Sequence, residues 1–200
     1  EVNLALKHES LAGSFANLTL TGATFNGGGR EVSQRSVDDG TEYLRLFSDN
    51  SDNVEGEISA DYEFGLGPGR LKLIGLQRMN EREPQSQSIA TYFGVQADTG
   101  SRFGSVNESG ETIARAEYGW IDSGDNDWQI SLEGAFNYLD TTSDLSTLSG
   151  GSFVDVPLTN ATTRIEERRT EAALVHGRRL TENVVFQGSA GVEYSELSQS

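Results

Sequence analysis

The stretch WQISLEGAFNY, Trp128 to Tyr138, alternates without a break. Trp128, Ile130, Leu132, Gly134, Phe136 and Tyr138 share one parity, and Gln129, Ser131, Glu133, Ala135 and Asn137 share the other. Successive side chains of a β-strand point to opposite faces, so a period of two predicts a strand with one apolar and one polar face. Three more segments repeat the pattern. VEGEISADYEF sets Val54, Ile58, Ala60, Tyr62 and Phe64 against Glu55, Glu57, Ser59, Asp61 and Glu63. ETIARAEYGWI sets Ala114, Ala116, Tyr118 and Trp120 against Glu111, Arg115 and Glu117, with Ile113 out of phase. VVFQGSAGVEY sets Val184, Phe186, Ala190, Val192 and Tyr194 against Gln187, Ser189 and Glu193.

Strands of soluble domains usually run about 5 to 6 residues, whereas a tilted membrane strand needs about 9 to 11, with aromatic girdles at its two borders. The four segments match the second length. They predict an all-β, antiparallel up-and-down meander in the wall of a transmembrane β-barrel. Glu55, Glu57, Asp61, Glu63, Arg115, Glu117, Glu133 and Glu193 would then line the aqueous lumen. Tyr62, Phe64, Trp120, Trp128, Tyr138 and Tyr194 would mark the membrane interfaces. The competing architecture is an exported soluble β-sandwich or adhesin-like binding module with one wet face.

Turns add a second constraint. GLGPGR (65–70), DSGDND (122–127) and GRRLTEN (177–183) are short and rich in residues that tolerate positive φ, so they are assigned to one, periplasmic, rim. Parity then requires an even number of crossings between the first two. One long strand therefore rises from Leu71 through Ala97, with a bulge or edge at Pro84, and another descends from about Arg102 to Ile121. ADTGS (97–101) caps that outer hairpin, and LSTLSGGSFVDVP (145–157) reads as an outer loop. TRIEERRTE (163–171) has helix-like charge spacing, but the alternating flanks favour a strand extension above the membrane. Across the DSGDND turn, Trp120 should lie opposite Trp128, Arg115 opposite Glu133 and Ala116 opposite Leu132.

Before Val54 the expected strands are VNLALKH (2–8), ANLTLTG (16–22), REVSQRSV (30–37) and EYLRLFS (42–48). Between them, NGGGR (26–30) reads as a flexible loop, and DDG (38–40) and SDNSDN (48–53) as outer loops. The 200 residues show no internal boundary.

A formal charge of -16 leaves no basic patch for nucleic acid, and the absence of cysteine excludes disulfides and thiolate metal sites. No run approaches the roughly 20 apolar residues of a membrane helix. The two histidines, His8 and His176, sit in no nucleophile or zinc motif, so no enzyme activity is assigned. His176 reads as an interfacial residue. DNSDN (49–53) and DSGDND resemble oxygen-ligand loops for calcium, but neither has the spacing of a twelve-residue calcium loop; turn chemistry explains them, and no cofactor is expected.

The segments EGEISADYEFGLGPGRLKLIGLQR (55–78), GETIARAEYGWIDSGDNDWQISLEGAFNYLD (110–140) and EAALVHGRRLTENVVFQGSAGVEYSELSQS (171–200) resemble the barrel of TonB-dependent outer-membrane receptors. The resemblance implies a 22-stranded barrel with an N-terminal plug in the bacterial outer membrane. It also implies outer-membrane lipid and TonB as partners, and a ferric siderophore or similar bulky nutrient as the transported ligand. About eight crossings are too few for such a barrel, so the expectation is a fragment of one from which the plug and the closing strands are missing, a small barrel with unusual loops, or an open sheet.

Overall fold

The computed structural model describes residues 1–37, 40–94 and 96–200. Among the described residues nine β-strands follow one another: β1 (Val2–Glu9), β2 (Phe15–Ser36), β3 (Glu42–Leu66), β4 (Gly69–Tyr92), β5 (Thr99–Ile121), β6 (Asn126–Ser149), β7 (Ser152–Asp155), β8 (Thr162–Thr181) and β9 (Val184–Gln199). All pairings are antiparallel, in the order β1-β2-β3-β4-β5-β6-β8-β9, and β7 folds back on the far end of β6. The fold is an up-and-down antiparallel meander.

The register across DSGDND is the expected one: Trp120 faces Trp128, Ala116 faces Leu132 and Arg115 faces Glu133. One long hairpin, β4 and β5, fills the interval between the first two short turns, as parity demands. TRIEERRTE lies within β8 and is strand throughout.

Several expected breaks are absent. NGGGR is not a loop but the middle of β2, where Gly27, Gly28 and Gly29 pair with Ser51, Asn50 and Asp49. At Gly28 the strands approach so closely that a Cβ would meet the Asp49 carbonyl and lie 3.0 Å from the Asn50 Cα. SDNSDN likewise lies inside β3. Asp38 and Asp39 of the DDG loop fall outside the described residues. Pro84 makes no bulge: it pairs with Ser51 in the unbroken β3–β4 register. On its other side the ladder stops at Arg82–Asn107 and resumes in the same register at Gln85–Gly104, because proline has no N–H to donate. The expected outer loop at 145–157 is mostly ordered, as the end of β6 and the return strand β7. There Ser146 bonds Asp155 at 3.0 Å and Arg102 sits 4.3 Å above the Phe153 ring.

The sheet is a single layer. Its accessible surface is 13640 Å², against about 9,200 Å² for a compact protein of 21.7 kDa. Among the described residues only Gly104, Glu133, Ala135 and Ser146 are buried, while Leu132 is 56% and Val192 73% exposed. Among the described residues no second layer covers the apolar rows, which a sandwich would require.

Gly110 gives a local test of packing. It lies opposite Tyr138, whose ring occupies the space that a Cβ at position 110 would need. Gly110→Leu should therefore push the Tyr138 ring aside and lower the urea midpoint in micelles by a small amount, since the atoms it meets lie at the movable end of the side chain. An unchanged midpoint would mean that this ring is not seated on the glycine.

Candidate functional site

The register divides the sheet into two continuous faces. Even positions of β1, β2, β3, β5, β6, β8 and β9 share a face with odd positions of β4. In the half of the sheet nearest the short turns, that face is apolar and exposed. It carries Leu4, Leu6, Ile58, Tyr62, Leu73, Ile130, Leu132, Leu174, Phe186 and Val192.

A file of rings runs along its lower border. Tyr62 stacks on Phe64 at 5.3 Å, Tyr118 on Trp120 at 5.4 Å and Trp120 on Trp128 at 6.3 Å. Trp128 meets His176 at 4.2 Å, and His176 reaches Phe186 at 6.1 Å. His176 thus belongs to this border. Phe186 was visible in the alternation of its segment but becomes a border residue only through its contact with His176. At the other border, Tyr138 and Tyr194 share the apolar face but not a register level: Tyr138 lies level with Glu166, and Tyr194 with Thr170 and Gly134.

The opposite face brings the expected acidic residues together. Glu133, with a side chain only 6% exposed, takes Arg115 from β5 and Arg169 from β8, the latter at 3.1 Å. Arg115 also reaches Glu117 at 3.5 Å. Arg78 bonds Glu57 at 2.6 Å and approaches Glu111 at 3.9 Å, and Lys72 lies 3.7 Å from Asp61. Arg70 pairs with Glu63, and Asn17 donates to both Asp61 oxygens at 3.0 and 3.1 Å. Apart from Arg115–Glu117, which lies within β5, these pairs bridge two strands and help to fix their register.

Glu55 sits on this face beside the Arg78 pair, and Glu193 sits opposite Glu171 at the β9 edge, outside the network. Arg70, Lys72, Arg78 and Arg169 complete the wall. The first three could have been found by extending the alternation through RLKLIGLQR (70–78), where Leu71, Leu73 and Met79 take the apolar parity. The out-of-phase Ile113 lies between Leu76 and Ala135 in an apolar island on the polar face, which accounts for the burial of Ala135.

The two calcium-like stretches resolve differently. Asp49 and Asp52 fall on opposite faces of β3, so DNSDN cannot converge on one ion. In DSGDND, Asp122 accepts hydrogen bonds from the Asn126 side chain at 2.9 Å, the Gly124 N–H at 2.7 Å, the Asn126 N–H at 3.1 Å and the Trp128 indole at 3.3 Å. These donors, the Asn126 side chain foremost, hold its carboxyl down at about 2. The turn itself uses the acceptor capacity that a cation would need.

No family model matches the sequence, and no curated protein matches it. Among solved structures, the chain aligns over 98% of its length with 35% of the ferric citrate transporter FecA, at 12% identity and a TM-score of 0.35. The chain thus spans about a third of that protein's length. It aligns over 78% of its length with 75% of Acinetobacter baumannii CarO, at 14% identity and a TM-score of 0.26. At such scores an overlay carries no weight.

Two outcomes follow from the wall and the turn. Removing Glu133 as Glu133→Ala leaves two arginines facing each other and should cost about 1–3 kcal/mol, with a double-mutant cycle against Arg115→Ala returning a favourable coupling. A coupling of zero would detach the pair from stability. Asp122 has a folded-state pKa below its ordinary 3.8, so its contribution is complete above that value and lost as pH falls through about 2. The amide resonances of Gly124 and Asn126 should titrate with that low midpoint. A midpoint near 4 would show that the turn does not hold the carboxylate.

Proposed function

We propose that this chain forms part of the wall of a β-barrel in the bacterial outer membrane. The observation that carries this reading is the inversion of burial. On β6, Ile130 and Leu132 are open while their neighbour Glu133 is enclosed. Water as the medium on both faces would make that arrangement costly, at about 25 cal/mol for each Å² of apolar surface left wet. Hydrocarbon on one face and an aqueous interior on the other removes the cost.

The dimensions support the same reading. From Trp128 to Tyr138 is ten residue steps, which at about 3.3 Å each and a barrel tilt cover roughly 27 Å, close to the apolar band of outer-membrane barrels at about 25 Å. The unpaired edges of β1 and β9 would not be tolerated in lipid, so the working barrel pairs both with strand. The short turns then lie at the periplasmic rim. The upper parts of β2 to β6, where Arg30, Asp52, Glu81, Glu108 and Asp140 interrupt the apolar face, stand in extracellular water.

In its finer form the proposal is a TonB-dependent receptor taking up a ferric siderophore or similar bulky nutrient, with transport and no catalysis or cofactor. Support for this step comes from the resemblance of residues 55–78, 110–140 and 171–200 to such barrels, and from strands that project well beyond the apolar band. A wide lumen also suits the charged inner wall, since an eight-stranded barrel has room only for its own side chains.

The test is amphiphile dependence. The refolded chain should stay monodisperse with full β signal in detergent or liposomes and should precipitate when amphiphile is removed. Monodisperse, folded protein in plain buffer would contradict the membrane reading. Ferric siderophores added to the liposome form test the finer one: saturable quenching of tryptophan fluorescence supports it, and its absence across hydroxamate, catecholate and citrate types counts against it.

A further inference from the structure

The polar face of β3 carries Glu55, Glu57, Asp61 and Glu63, and β4 beside it carries Arg70, Lys72 and Arg78. The two rows are matched in charge, with one exception. Arg70 pairs with Glu63, Lys72 lies 3.7 Å from Asp61, and Arg78 holds Glu57 through two bonds of 2.6 and 2.9 Å. Glu55 breaks the series. Its register partner on β4 is Asn80 and on β2 is Ala23, so neither neighbouring strand sets a cation against it. Arg78 is turned to Glu57, and its remaining end approaches Glu111 at 3.9 Å. Among the described residues Glu55 has no ion pair and no side-chain hydrogen bond.

Glu55 borders a concavity of about 450 Å³, which Thr21, Ala23, Glu57, Arg78 and Asn80 also line. Small-ligand sites usually measure roughly 300 to 1,000 Å³. The free hydrogen-bonding groups of this one are acceptors. The Asn80 amide donates to Asn53 at 2.9 Å, which leaves the Asn80 Oδ1 to accept. The Thr21 hydroxyl makes no hydrogen bond among the described residues and has lone pairs to offer. The Glu55 carboxylate accepts only. Arg78 is neutralised by Glu57, so it does not repel a positive guest.

A primary ammonium has three donors and no acceptor. We propose that this concavity binds a solute through such a group, which supplies the cation that β4 lacks opposite Glu55, while Thr21 and Asn80 accept its remaining donors. Glu55 is level, through Asn80 and Ser109, with Leu139, one residue beyond Tyr138. In the membrane orientation given above, the site therefore stands at the outer end of the lumen wall, where an entering solute meets it early. The formal charge of -16 favours the approach of cations. The inference rests on the membrane reading, which gives this face to water, and it narrows the ligand class of the uptake reading. Among ferric siderophores it selects those that carry a free ammonium over anionic citrate and catecholate complexes.

The test uses the chain folded in detergent micelles at low, constant ionic strength, with ethanolamine as the probe. In proton–nitrogen correlation spectra the Gly56 backbone amide and the Asn80 side-chain amide should shift saturably. Neutral N-acetylethanolamine and anionic glycolate should leave both unmoved. Glu55→Gln should weaken binding about tenfold. Asn80→Lys, which sets a cation of the chain's own opposite Glu55, should abolish the Gly56 shift, and both variants should keep the β signal of the parent. Equal shifts with the acetylated probe or with potassium alone overturn the inference, as does undiminished binding to either variant. A ferric trihydroxamate ending in a free ammonium, set against its N-acetylated form, separates the site from the uptake reading. Stronger tryptophan quenching by the free ammonium form supports both, and equal quenching by the two forms overturns the ammonium site alone. Ethanolamine binding without quenching by either form supports the site and counts against siderophore uptake.

Discussion

A one-layer antiparallel sheet must give its two faces to two different surroundings, and every other feature of this molecule depends on that constraint. The backbone ladder satisfies the peptide groups within the sheet, but it cannot hide side chains. Alternation therefore sorts residues by medium. Here the sorting puts Leu132 outward and Glu133 inward on consecutive positions of β6. The polar face is organised by pairs that cross strands, such as Arg115 with Glu133 and Arg78 with Glu57, so the same groups that line it also hold neighbouring strands in register. The apolar face needs no such pairing and is bordered by rings.

Where the sheet leaves the apolar belt, the sorting stops, and with it the signal that sequence reading depends on. The register at Trp120–Trp128 and the pairing of Arg115 with Glu133 were legible because alternation on both sides of a tight turn leaves one alignment. The polar-face residues of β3 and β5 were legible for the same reason. NGGGR and SDNSDN were misread because a strand with water on both faces has no need to alternate, and glycine, asparagine and aspartate there look like turn punctuation. The ladder between β2 and β3 carries straight through both, each segment being the other's partner. Pro84 was understood chemically but given too large an effect. The loss of one donor interrupts pairing with β5 and leaves the register intact.

What no single segment reveals is the relation between strands. Tyr138 and Tyr194 each end an apolar row, yet they stand on different levels, and only the full set of pairings shows that the belt is diagonal. The slant in turn accounts for the short outward apolar row on β8, where Arg168 appears four levels below Asp140. A diagonal belt is what closure into a barrel requires, since strands that stand upright cannot close with a fixed stagger.

The central claim is that the exposed apolar face meets hydrocarbon. The chain contains two tryptophans, Trp120 and Trp128, and both lie on that face at its lower border. Their fluorescence in liposomes, recorded with phosphatidylcholines brominated at a shallow or a deep acyl position, reads the claim directly without any substitution. Quenching by the shallow bromines, weaker with the deep ones, is the result the arrangement predicts. Emission unaffected by either lipid but quenched by iodide in the buffer would place the rings in water and contradict it.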